Sequence, residues 1–157
     1  MEVRRRKCLS HYLPYWFTLS SAQNTARPSS RQQSSQNYID TWHHFFRALK
    51  SPSLAIDGTT DHVHILFSLA RVITMAVLVE EVKTESSKWI KTKGSEFTSF
   101  HWQKGYGAFS VGQSNVASLK HYILGQKKHH QRVTFQDEYR KFLKAYGIDY
   151  DERYVWD

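Results

Sequence analysis

Two histidines one residue apart, His62-Val63-His64, and a tyrosine and glutamine four apart, Tyr122 and Gln126, are the side chains here best suited to chemistry on a phosphodiester. On a strand, residues two apart point to the same face, so both imidazoles would stand side by side while Val63, Ile65 and Phe67 enter the core. That makes a two-nitrogen platform for a divalent metal. Chemistry at phosphate usually employs a hard ion that keeps positions open for phosphate oxygens and water, so Mg²⁺ or Mn²⁺ fits the task. Two half-exposed polar residues on the solvent side of a sheet would give the same pattern. The adjacent Asp61 and the basic character of the chain favour the metal.

On a helix, Tyr122 and Gln126 stack one turn apart on one face. Lys120, His121, Lys127 and Lys128 surround them with positive charge, which is expected to draw a phosphodiester toward the phenol and to lower the phenol's pKa. With a metal on His62 and His64, and the Gln126 amide oxygen completing its coordination, Tyr122 could attack phosphorus and leave a covalent phosphotyrosine. No nucleotide cofactor is required. The competing reading is a core tyrosine beside a solvated basic face.

These groups need a scaffold, and the pattern of apolar residues supplies one. Tyr12 to Ser20 reads as a first strand with Pro14 at its start or on an edge. Ser21 to Gln36 is rich in Ser, Gln, Arg and Pro without periodicity and reads as a flexible loop. Tyr38, Trp42, Phe45, Phe46 and Leu49 mark one face of a helix over 37–50. Leu54 to Ile56 and His62 to Leu69 form a hairpin around Asp57-Gly58, and Thr74 to Lys91 forms a long helix that Gly94 stops. Tyr106 to Val111 is a last strand. A third long helix over 115–130 carries the tyrosine, and a fourth over 135–146 ends at Gly147. The order β-α-β-β-α-β-α-α predicts an α+β fold: a ferredoxin-like split β-α-β antiparallel sheet with helices on one face, plus C-terminal helices carrying Tyr122.

A chain of 157 residues fits a single domain, 1–157, with 131–157 as a C-terminal helix and tail. Its formal charge of +8 favours a polyanion, and nine Tyr, nine Phe and five Trp offer faces on which unpaired bases could stack. Cys8 stands alone, which suits a reducing cytoplasm. No apolar run approaches the roughly 18 residues of a membrane span, and the Arg4 to Lys7 basic run is not followed by a signal-peptide pattern.

Five segments together resemble the single-tyrosine transposases of insertion sequences, members of the His-hydrophobic-His endonuclease superfamily. They are Asp57 to Leu66 (DGTTDHVHIL), Lys83 to Trp89 (KTESSKW), Trp102 to Val111 (WQKGYGAFSV), Lys120 to Gln126 (KHYILGQ) and the closing stretch from Val133 to Asp157. The resemblance covers most of the chain beyond residue 50. It implies that His62 and His64 ligate Mg²⁺ or Mn²⁺, that Tyr122 is the nucleophile forming a 5′-phosphotyrosine, and that Gln126 assists at the metal. It also implies a homodimer in which the tyrosine helix of one subunit can complete the site of the other, and single-stranded DNA with hairpin ends as substrate. The setting it implies is prokaryotic, cytoplasmic and nucleoid-associated when acting. Arg27, Lys88, Lys91, Lys120 and Lys127 are the candidate DNA contacts, although the 21–36 loop carries no motif of the group.

Three other readings compete. A domesticated relative would nick repeated genomic palindromes with the same residues. A nucleic-acid-binding module would use the histidines and Tyr122 only for packing. A hydrolase of small phosphoesters would need a phosphate-cradling glycine loop or a two-metal carboxylate cluster, and neither is evident.

Overall fold

The computed structural model describes residues 14–20, 32–59 and 61–156, without the side chains of 16–20, 32–37 and 127. Arg27, Cys8 and the Arg4 to Lys7 run lie outside the described residues. The described residues fold into four strands, β1 (Pro14–Ser20), β2 (Ser53–Gly58), β3 (His62–Ser68) and β4 (Gly107–Ser110), in the antiparallel order β2-β3-β1-β4. The helices are α1 (Gln32–Ala48), α2 (Met75–Lys91), α3 (Val116–Leu124), a four-residue α4 (Gln126–His129) and α5 (Phe135–Ala145). This is the expected split β-α-β sheet, with both crossovers helical. Pro14 begins β1, where its missing amide hydrogen costs the ladder least.

Alternation along β3 decides what each face of the sheet carries. Val63, Ile65 and Phe67 point to one side and pack on Tyr38, Trp42 and Phe46 of α1 and on Leu78, Val79 and Val82 of α2. Leu66 points to the other side, into a second apolar cluster with Ala55, Phe109, Val111 and Ile123, flanked by Tyr122, Tyr139 and Phe142 from α3 and α5. Helices α1 and α2 therefore cover one face, and the C-terminal helices cover the other. The site lies beneath the latter.

Helix α1 starts at Gln32, several residues before the expected Asn37, so part of the polar 21–36 segment is helical. Gln and Ser carry no signal of burial, and the apolar stripe that reveals the helix begins only at Tyr38.

Two of the segments that carry the family resemblance hold the loop before β4. Lys83 Nζ donates to the carbonyls of Gln103 (2.8 Å), Lys104 (3.0 Å) and Gly105 (2.9 Å). The buried Ser86 Oγ accepts from Trp102 Nε1 at 2.9 Å and donates to Val82 O at 2.6 Å. Helix α5 closes with Gly147 at φ 62°, where Ile148 N donates to Leu143 O and Gly147 N to Lys144 O, so the last carbonyls are satisfied by a left-handed glycine cap.

Candidate active site

His62 and His64 both show 0% exposure, which excludes a half-solvated pair on an open sheet face. They share the face on which α3 and α5 lie. The β2–β3 turn fixes the first of them. Gly58 passes so close to the returning strand that a Cβ there would sit 2.3 Å from His62 O and 2.7 Å from Val63 Cα. His62 Nδ1–H donates to Asp61 Oδ1 at 2.7 Å, and Thr59 Oγ1, 2.9 Å from the same nitrogen, donates to Asp61 as well. The Phe135 ring stacks on the imidazole at 4.5 Å.

Burial is the main force on the His62 pKa and lowers it to about 4, against the opposing bond to Asp61. Burial would raise Asp61, but its hydrogen bonds to His62 and Thr59 outweigh that and bring it to about 2. At neutral pH the pair is a neutral imidazole held by an ionised carboxylate, with Nε2 left as a lone pair.

Tyr122 and Gln126 do not share one helix. Helix α3 ends at Leu124, Gly125 caps it with its N–H on Tyr122 O at 3.1 Å, and Gln126 opens α4. Glycine breaks the run because it costs about 1 kcal/mol relative to alanine inside a helix. The two side chains nevertheless converge on one carboxylate. Tyr122 Oη–H donates to Glu138 Oε1, and Gln126 Nε2 lies 3.4 Å from the same oxygen. The second oxygen, Glu138 Oε2, accepts from His64 Nε2 at 2.9 Å and is 3.3 Å from His130 Nε2. His129 Nε2 stands 3.4 Å from Glu138 Oε1.

The expectation of a lowered phenol pKa is corrected by these contacts. Burial, and then the bond to the Glu138 carboxylate, raise Tyr122 well above its ordinary value, because the nearest charge is negative. Lys120 is exposed. Glu138 would be raised by its burial, yet bonds from His130, His64 and Tyr122 hold it far below the usual carboxylate range. His130 would be lowered by burial, but Glu138 outweighs this and raises it.

The residues present fit a divalent metal. His62, His64, His130 and Glu138 each place a ligand atom within 4.8 Å of the others. His62 Nε2 and Gln126 Oε1 are buried and have no hydrogen-bond partner among the described residues, the state expected of donors awaiting a cation.

The structure thus brings together His62, His64, Tyr122 and Gln126 within a single chain. It does not bring Lys88 or Lys91 to them. Both are exposed on α2, across the sheet, and Lys88 pairs with Glu85 at 2.7 Å. Lys127 lies in α4. Sequence reasoning missed Glu138 and His130. The available signal was a carboxylate inside the apolar stripe Phe135, Tyr139, Phe142 of α5, since an acidic residue on a buried face must have partners.

The fold matches known proteins. The family model for "Transposase IS200 like" matches residues 23–126, well over half the chain, and the protein belongs to that family. Among solved structures, a candidate transposase from Deinococcus radiodurans aligns with a TM-score of 0.53 at 16% identity, over 73% of this chain and 90% of the other. A REP-associated tyrosine transposase bound to a REP hairpin aligns with a TM-score of 0.53 at 14% identity, over 78% of this chain and 70% of the other. No curated protein sequence matches. Among the described residues, no helix is long and apolar enough to cross a membrane.

Proposed function

We propose that this transposase cleaves and rejoins single-stranded DNA at hairpin-marked ends through a 5′-phosphotyrosine on Tyr122. The observation that carries the reading is the convergence of Tyr122 and His64 on Glu138, which sets a phenol beside a buried histidine pair in one chain. In the first step the Tyr122 oxygen attacks phosphorus, the bond from phosphorus to the 3′ oxygen breaks, and the released 3′ end takes up a proton as a hydroxyl. The phenolic proton passes to Glu138 Oε1, which already accepts it in a hydrogen bond. A free 3′ hydroxyl of another strand reverses the reaction, so joining consumes no nucleotide cofactor.

His62, His64 and Gln126 would hold the divalent ion, Mg²⁺ or Mn²⁺. When bound, that ion supplies Lewis-acid polarisation of the scissile phosphate. The chain's own contribution is positional. Asp61 and Phe135 fix the His62 ring, and Glu138 fixes the phenol. The family resemblance supports a homodimer. Within one chain, Tyr122 and His64 meet on Glu138.

The neighbouring tyrosine transposase was solved with a REP hairpin, which supports a folded single strand as the ligand here and keeps a host-serving nickase of scattered hairpins as the second reading. Labelled single-stranded oligonucleotides bearing the hairpin that flanks this gene test the proposal. Transfer of label to the protein, dependent on metal and on an unpaired flank, supports it. Tight hairpin binding without any adduct would make the protein a binding module instead.

A further inference from the structure

Around the histidine pair there are more ligand groups than the family resemblance supplies, and their placement says what they are for. Two imidazoles have their tautomers set from outside the cluster. His62 Nδ1–H is committed to Asp61 Oδ1, and His130 Nδ1–H is committed to the carbonyl of Val133 at 2.8 Å, a group that can only accept. Each ring therefore turns its Nε2 inward, the orientation in which a histidine is held for a metal. Both Nε2 atoms, together with Gln126 Oε1, are buried and have no hydrogen-bond partner among the described residues. Glu138 Oε2 lies beside them, 3.3 Å from His130 Nε2 and 2.9 Å from His64 Nε2.

The ligand atoms of His62, His64, His130 and Glu138 all lie within 4.8 Å of one another, close enough for one cation to bind them together. The donor set also discriminates among cations. Mg²⁺ prefers carboxylate, carbonyl and water oxygens and gives up its waters reluctantly, while imidazole nitrogens suit d-block ions.

Building on the reading of this pocket as a metal-using site, we propose that His130 and Glu138 join His62 and His64 as direct ligands. The result is a site in which three imidazole nitrogens and one carboxylate oxygen join the Gln126 amide oxygen, and it selects Mn²⁺ over Mg²⁺. The two oxygens of Glu138 then divide their work. Oε2 faces the ion and Oε1 faces Tyr122.

The test is a Co²⁺ titration of the full chain after chelator treatment, with no DNA present, because the visible absorption of Co²⁺ reports the number and type of its ligands. The expected result is saturation at a single equivalent with the spectrum of nitrogen-bound Co²⁺, displaced by Mn²⁺ but not by Mg²⁺ at the same concentration. His130→Asn and Glu138→Gln should each weaken Co²⁺ binding by about 10-fold to 100-fold, with the far-ultraviolet circular dichroism unchanged. Should Glu138→Gln misfold, His130→Asn decides alone, since its ring is carried on the short α4–α5 connection. Equal displacement by Mg²⁺, no Co²⁺ binding, or unaltered affinity in His130→Asn would overturn the proposal. The covalent adduct is scored separately: an adduct that forms undiminished in His130→Asn removes this inference and leaves the tyrosine mechanism standing.

Discussion

The hydroxyl of Tyr122 and the imidazole of His64 are joined through the two oxygens of one buried carboxylate, Glu138, which lies in sequence beyond both. This bridge couples the helix that carries Tyr122 to the strand that carries the histidines. In the proposed reaction it also offers the phenolic proton an acceptor.

Removing that acceptor isolates its role. Glu138→Gln keeps the size of the side chain and loses the charge, so adduct formation should slow by about 100-fold or more, the usual contribution of a positioned base. Tyr122→Phe should form no adduct at all. Single-turnover rates with a labelled oligonucleotide separate the two, and an unchanged rate in Glu138→Gln would remove the carboxylate from the proton path.

The folded protein should lose stability in mild acid because of His62. Its pKa is lowered to about 4 when folded, against an ordinary value of 6.5, so below pH 6.5 the unfolded chain takes up a proton that the folded chain refuses. Stability from this group is complete above pH 6.5 and falls progressively toward pH 4. At pH 5 the loss is about 2 kcal/mol at 1.36 kcal/mol per pKa unit. Asp61, lowered to about 2, contributes stability above its unfolded pKa that disappears only as pH falls through 2, below this window. His130 is raised and works in the opposite sense, stabilising at low pH. Urea denaturation of the metal-free protein at pH 7 and pH 5, with His62→Asn alongside, isolates the effect. The variant should show a pH dependence smaller by about 2 kcal/mol.

Gly58 is fixed by its surroundings. A methyl group there would press on backbone atoms of His62 and Val63, which cannot swing aside as a side chain would. Gly58→Ala should cost about 1–3 kcal/mol, the range of overpacking in a tight site, and should weaken metal binding because His62 must shift. Denaturant melts and metal titration of the same variant check both consequences.

Ser86→Ala would leave Trp102 Nε1 buried with no acceptor, at a cost of about 1–3 kcal/mol. The loop before β4 should loosen, visible as faster hydrogen exchange between Gln103 and Gly107. Wild-type stability in this variant would show that water replaces the hydroxyl.

How much of this was legible in the sequence depends on the range of each contact. The histidine pair could be read because the period of a strand is two, and one strand assignment places both rings on one face. The order of elements along the chain follows from the apolar periodicities, which are local. Glu138 could not be placed that way. Its contact with His64 spans 74 residues and exists only because α5 folds back across the sheet. The charge around Tyr122 was misjudged for the same reason: lysines near in sequence were counted, while the carboxylate nearest in space was not. The break at Gly125 was readable in principle from the glycine, but an uninterrupted Tyr-to-Gln turn placed the same two side chains together.

The most direct test of the account is to find the atom that carries the DNA. Protein incubated with a hairpin-bearing single strand and Mn²⁺ would be digested with nuclease and protease, and the peptides sequenced by mass spectrometry. The account predicts a nucleotide remnant linked through phosphate to Tyr122, absent when metal is withheld. A remnant on any other residue, or strand cleavage with no modified peptide, would contradict it.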